Sequence, residues 1–213
     1  MGWVGFAPWL YVYCAASESF KEGLIPDNYY SRIVAPRIIG PYAELQSFKA
    51  LSGKLFDTNC FPDIAYYVNG LDFSRNHYVI SEERIKETLF KNPNTVLFKI
   101  DRSLQGKGVF FYKNSQFSSQ KIKSNGNGVF QSFIDQHDFF KTLSPSAAST
   151  LRLTTVMDDL GKVSVRACYL RIGRVNDSHV KSTSHIRIPV NLKTGELSET
   201  GFFTRLDFNK PSS

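Results

Sequence analysis

Apolar and polar positions along this chain follow two rhythms. Between Pro41 and Phe56, the residues Tyr42, Leu45, Phe48, Leu51 and Leu55 recur three or four positions apart, which predicts a helix over that stretch. Pro62 marks the end of the turn after it. A second helix is predicted from Ser81 to Lys91. Ser81 suits an N-cap, Glu82 and Glu83 suit the positive helix start, Ile85 and Leu89 face a core, and Pro93 stops the element. The rhythm then shortens. Val96–Ile100 and Val109–Tyr112 read as strands flanking a glycine loop.

Lys113 to Gly128 is polar and carries Asn-Gly at 125–126 and 127–128, which predicts a turn or mobile loop. Val129 to Ile134 reads as a short strand, and Ser144-Pro145 as the cap and first position of a brief helix. Thr150–Met157 and Lys162–Ile172 are strand candidates joined by the turn Asp158-Asp159-Leu160-Gly161. A further hairpin is expected from Ile186–Leu192, through Lys193-Thr194-Gly195, into Glu196 onward. Helices early and antiparallel strands late predict an α+β protein with two lobes. The divisions expected are an aromatic-rich segment over 1–40, a first lobe over 41–130 and a second over 131–213.

Composition narrows the function classes only a little. The chain has 213 residues and a formal net charge of +7, which points to an anionic partner without choosing one. Cys14, Cys60 and Cys168 lie far apart, with neither metal-ligand spacing nor a disulfide framework, which fits a reducing cytoplasm. Met1 to Ala16 is apolar and aromatic, but it has no Lys or Arg before the apolar run and Pro8 interrupts it. It reads as a packed N-terminal segment rather than a signal peptide, with membrane contact open but not expected. Basic charge and many aromatics also suit single-stranded nucleic acid. No Lys/Arg block supports that alternative, so DNA is not an expected partner.

The densest chemistry lies in Lys99-Ile100-Asp101-Arg102-Ser103-Leu104-Gln105-Gly106-Lys107-Gly108. Gly106 and Gly108 permit positive φ and close approach of a ligand, and backbone N–H groups in such a loop can cradle phosphate. Lys99, Arg102 and Lys107 surround it with positive charge. The loop returns into a strand, unlike a P-loop or a dinucleotide fingerprint, both of which open a helix. A phosphate-binding flap and a plain glycine hairpin with solvated lysines both fit this spacing.

The order of these parts resembles the ATP-grasp superfamily, and more narrowly the sugar-transfer-associated ATP-grasp family. The resemblance runs from about Tyr29 to Gly201. It is carried by Phe48-Lys49, Phe98-Lys99-Ile100-Asp101, Gln105-Gly106-Lys107-Gly108-Val109, Phe130-Gln131-Ser132-Phe133-Ile134-Asp135-Gln136-His137, Ser149-Thr150-Leu151-Arg152-Leu153-Thr154-Thr155, Leu170-Arg171-Ile172-Gly173 and Val190-Asn191-Leu192-Lys193-Thr194-Gly195. It implies an ATP-grasp-like fold of two lobes with antiparallel sheets, the second lobe incomplete. It also implies ATP and Mg²⁺ as cofactors.

The implied activity is ligation of a small carboxylate to an amine, on a sugar or peptide, through an acyl-phosphate. Lys49 and Lys99 would meet the α- and β-phosphates, with Gln105, Gly106, Lys107 and Gly108 as the flap over them. Gln131, Phe133 and Ile134 would hold the adenine at the hinge, Asp138 the ribose, and Arg152 or Arg171 the transferred phosphoryl group. Arg166 is an alternative to Arg171, and His137 is the histidine nearest to this chemistry. The family's Asp-Asn metal pair falls on His179 and Val180, and a register shift brings in Asn176 and Asp177 instead. The family's Glu- and Asn-bearing strand would lie past Ser213. A shortened relative that binds nucleotide without turnover is therefore the alternative.

Overall fold

The computed structural model describes residues 4–103, 107–173 and 185–203. The chain divides into two compact units, with the boundary between Phe48 and Lys49. The first unit is a succession of short helices, among them Ala7–Ser17, Asp27–Tyr29 and Ala35–Ile39, and none of these buries a residue. The packed N-terminal segment that the sequence predicts is therefore a helix whose Leu10, Tyr11 and Val12 are exposed. No helix among the described residues is long and apolar enough to cross a membrane.

The second unit holds two antiparallel sheets. The larger has six strands: β1 (Asp63–Val68), β2 (Leu71–Ser74), β3 (Val79–Ile80), β4 (Thr95–Ile100), β5 (Val109–Lys113) and β6 (Gly128–Gln131), in the order β3-β2-β1-β6-β4-β5. The smaller has four: β7 (Thr150–Met157), β8 (Val163–Ile172), β9 (Ile186–Pro189) and β10 (Phe202–Phe203), in the order β10-β9-β8-β7. The architecture is α+β, as the order of elements predicts.

One face of the large sheet is dry. Ala65, Tyr67, Val96, Phe98, Tyr112 and Phe130 point to it and are covered by Ile85 and Leu89 of the helix Glu82–Leu89 and by Ile122 of the helix Ser119–Asn125. Phe98 and Phe130 are fully buried with ring centroids 4.6 Å apart. Full burial of a ring this size contributes about 1.5–3 kcal/mol. The opposite face carries Tyr66 and Val129 under Ala50, and this is the face with the chemistry.

Several sequence expectations need correction. The helix over 41–56 is broken: a 3-10 helix, Gly40–Ser47, is followed by Phe48 at φ −88° and ψ 88°, then the 3-10 turn Lys49–Leu51 and the short helix Ser52–Leu55. Gly40, Pro41, Ser52 and Gly53 are weak helix residues, and apolar spacing alone does not offset them. The supposed loop over 113–128 contains the helix Ser119–Asn125, which Gly126 ends at φ 85°. The Asn125-Gly126 pair is a helix stop rather than part of a turn or mobile loop.

Val129–Ile134 stays a strand only as far as Gln131. Ser144 does not start a helix but closes Asp138–Leu143, its N–H donating to Phe140 O at 2.8 Å. Thr150–Met157 and its partner hairpin strand form as predicted, turned by Asp158, whose Oδ1 accepts from Leu160 and Lys162.

Between the sheets, residues 132–149 fold on themselves. Gln136 donates to Ser144 O at 2.7 Å and accepts from Ser149 N at 2.8 Å. The buried Ser144 hydroxyl donates to Ala147 O at 2.7 Å.

Candidate functional site

Strand alternation builds the site. Lys99 pairs with Val129, Leu97 with Gln131, and Asp63 with Gln131, so Lys99, Gln131 and Asp63 share one face across three adjacent strands. Gln131 and Asp63 are both buried, and the Gln131 Nε2 donates to Asp63 Oδ1 at 2.7 Å. The Tyr66 hydroxyl donates to Asp63 Oδ2 at 3.0 Å. Burial, and then the charge of Asp63, push the Tyr66 phenol up to about 12, so it stays a donor at any physiological pH.

Lys99 is half-buried on this face. Burial lowers its pKa, the Asp63 carboxylate raises it, and the Lys49 ammonium lowers it again. The three charges thus lie within reach of one another. Among the described residues the buried Gln131 Oε1 on the same face has no hydrogen-bond partner. An acceptor left open on the face that carries a half-buried cation is what a polar ligand would complete.

Lys49 reaches the same place from a 3-10 turn, not from the predicted helix. Its Nζ donates to Ile100 O at 2.7 Å, Ser103 O at 3.0 Å and Ser103 Oγ at 3.1 Å. Asp101 completes the clasp by accepting from Ala50 N at 3.2 Å. The ammonium is therefore spent on shaping the loop that leaves Lys99.

Gly108 closes that loop, and here the sequence reasoning needs amending. Its φ is not in the left-handed region; the loop needs a glycine because a Cβ would collide with Ser103. Gly128 has the same duty next to the Lys99 carbonyl. The strands flanking the loop are the body of the sheet, so the residues between Ile100 and Val109, not the whole ribbon, form any flap. Lys107 is exposed there; Gln105 and Gly106 lie outside the described residues.

The remaining predicted residues are more scattered. Phe133 and Ile134 are 48% and 61% exposed just past β6, with the Phe133 ring 5.7 Å from that of Phe111. Asp138 sits on the surface, ion-paired to Lys141 at 3.1 Å. His137 caps the same helix, its Nδ1 accepting from Phe139 N at 3.2 Å.

Arg152 and Arg171 belong to the small sheet, and no described contact joins them to Lys49 or Lys99. Pairing places Thr150, Arg152, Tyr169 and Arg171 on one face with Arg187. Arg171 Nε donates to Thr150 Oγ1 at 3.0 Å, and Arg187 Nε donates to the Nε2 of buried His185 at 3.0 Å. The Arg187 guanidinium lies 5.8 Å from the Tyr169 ring centroid. Arg166 falls at the register shift of β8 and is exposed.

Sequence reasoning missed Asp63, Tyr66, His77 and Arg187. Asn69-Gly70, between Ile64–Val68 and Leu71–Phe73, is a strong hairpin signal that places Tyr66 on a strand and Asp63 just before it. Beside Asp63 and Tyr66 a cleft of about 310 Å³ opens, lined also by Lys54, Asp57, Arg75 and His77. The His77 ring stacks on Tyr66 at 4.8 Å with 2° between the planes.

Among the described residues no three His, Cys, Asp or Glu side chains gather into a metal-holding group. Asn176 and Asp177, like His179 and Val180, lie outside the described residues. No family model, curated protein or solved structure matches this chain.

Proposed function

We propose that this chain binds ATP, as an ATP-grasp-like protein, with its polyphosphate over the Lys99 face of the large sheet. The observation that supports the reading is that Lys49, fifty positions before Lys99 in the sequence, bonds Ile100 O and Ser103 so that its charge acts on the Lys99 ammonium, on the face that also carries Gln131. Lys99 is the direct phosphate partner. Lys49 is a positioning residue that holds Ile100 and Ser103, and through them the flap. A charge-assisted hydrogen bond from Lys99 to phosphate would contribute about 1.5–3 kcal/mol. It would also offset the burial that lowers the Lys99 pKa.

The reaction proposed is carboxylate–amine ligation. A carboxylate oxygen takes the γ-phosphoryl group and ADP leaves. The amine then adds to the acyl carbon, phosphate departs, and the amine nitrogen gives up a proton to solvent. Arg152, Arg171 and Arg187, on one face of the small sheet, are the guanidiniums offered to the transferred phosphoryl group, where positioning and charge do most of the work. Mg²⁺ would enter with the nucleotide, and Asn176 and Asp177 remain its proposed protein ligands. The alternative is a module that holds nucleotide without turnover. It is favoured by His179 and Val180 standing where the family's Asp-Asn pair is expected.

Thermal stabilisation of the full chain by ATP with Mg²⁺, lost on Lys99→Met, tests the binding. Release of ADP dependent on an added carboxylate and amine separates the ligase from the silent module. Failure of ATP to shift the melting temperature would remove both.

A further inference from the structure

The cleft beside Asp63 is not used by the nucleotide reading, and its charges are arranged in an unusual way. Two cations, Lys54 and Arg75, and two carboxylates, Asp57 and Asp63, line one cavity of about 310 Å³. Asp63 is already satisfied by Tyr66 and Gln131. Arg75 is anchored by one terminal nitrogen, which donates to Asn59 O at 3.0 Å and Phe61 O at 3.5 Å, so its guanidinium is held in place with donors to spare. Among the described residues no ion pair joins Asp57 to Lys54 or Arg75. Opposite charges therefore share the cleft without neutralising one another.

The backbone supports this arrangement at some cost. Asp57 and His77, both lining the cleft, have φ of 45° and 62°, in the left-handed region that non-glycine residues seldom enter. Such conformations gather at ligand clamps, where the surrounding fold holds them. The Tyr66–His77 stack gives the cavity one flat, partly apolar wall.

We infer that this cleft binds a small zwitterion, an α-amino acid, with its carboxylate on Arg75, its ammonium on Asp57 and its side chain against His77. A simple anion would face the carboxylates, and a simple cation would face Lys54 and Arg75. A ligand carrying both charges satisfies both sets, and a guanidinium receives a carboxylate in bidentate fashion. The inference does not rest on nucleotide binding, since neither Lys49 nor Lys99 lines the cleft.

The test is a calorimetric titration of the full chain, without nucleotide, with a panel of α-amino acids, and with acetate, methylamine, glucose and inorganic phosphate as controls. At least one amino acid should bind about tenfold or more tightly than acetate or methylamine. Asp57→Asn and Arg75→Gln, both at exposed positions, should each weaken that binding by about tenfold or more, Asp57→Asn with the melting temperature unchanged and Arg75→Gln with the small loss that giving up its bonds to Asn59 and Phe61 entails. The control ligands on the wild-type chain give an answer even if one variant folds poorly. Absence of amino-acid binding, equal binding of any control, or wild-type affinity in both variants would overturn the inference. An ATP titration run alongside should be unaffected by either substitution, which keeps this result separate from the nucleotide reading.

Discussion

The Gln131 side-chain amide donates to the Asp63 carboxylate across β1 and β6 at 2.7 Å, and both residues are buried. This bond joins the strand that leaves the large sheet to the strand at its middle. It also sets the carboxylate facing Lys99. Replacing Asp63 with Ala strands the Gln131 amide and the Tyr66 hydroxyl and removes the attraction on a half-buried ammonium. The expected loss is about 2–4 kcal/mol in urea unfolding. A change below about 0.5 kcal/mol, the size of an ordinary surface substitution, would contradict the arrangement.

Lys99 makes an opposite prediction for stability and for binding. Burial depresses its pKa, so the unfolded chain holds the proton more tightly than the folded one. The fold therefore becomes more stable as pH rises toward the ordinary lysine value. Lys99→Met should remove that dependence and leave the ligand-free melting temperature equal or higher, while abolishing stabilisation by ATP. A variant that melts lower and still responds to ATP would show that Lys99 is merely structural.

Asp72, at the edge of the helix-covered face, gives a pH dependence of its own. Burial first, and then the neighbouring Glu82 charge, push its carboxyl up to about 6, with Lys123 opposing. A raised folded-state pKa means stability that is present in acid and lost as pH rises between about 4 and about 6. Asp72→Asn should be more stable than the wild type near neutrality and little different from it in acid. Urea titrations at both ends of that window check it.

Arg171 and Arg187 are direct partners across β8 and β9, and like charges placed so repel by several tenths of a kcal/mol. Arg187→Gln relieves that repulsion but gives up the bond to buried His185, so it should not gain stability in low salt, and it should weaken stabilisation by added phosphate. If phosphate stabilises both proteins equally, the small-sheet face is not an anion site.

How much of this was legible beforehand follows from the physics of each element. The hairpin Thr150–Met157 with Val163–Ile172 and the helix Glu82–Leu89 were readable because apolar period, cap residues and turn chemistry agreed there. The helix over 41–56 was misread because its apolar spacing was sound while Gly40, Pro41 and Gly53 were not. Lys99 is legible because it interrupts an apolar strand, and Gln131 only through the resemblance, which places the hinge there. Asp63 was invisible as a partner, since a contact 68 positions away in the sequence depends on sheet order. Arg152 shows the reverse: its alternation with leucines was read correctly, but its distance from Lys99 depends on how the two sheets lie, which no local pattern encodes.

The most direct measurement is a calorimetric titration of ATP with Mg²⁺ into the full chain and into Lys99→Met. Saturable binding by the wild type, reduced about tenfold or more in the variant, is the predicted result. Equal binding by the two, or none by either, would contradict a nucleotide site on the Lys99 face.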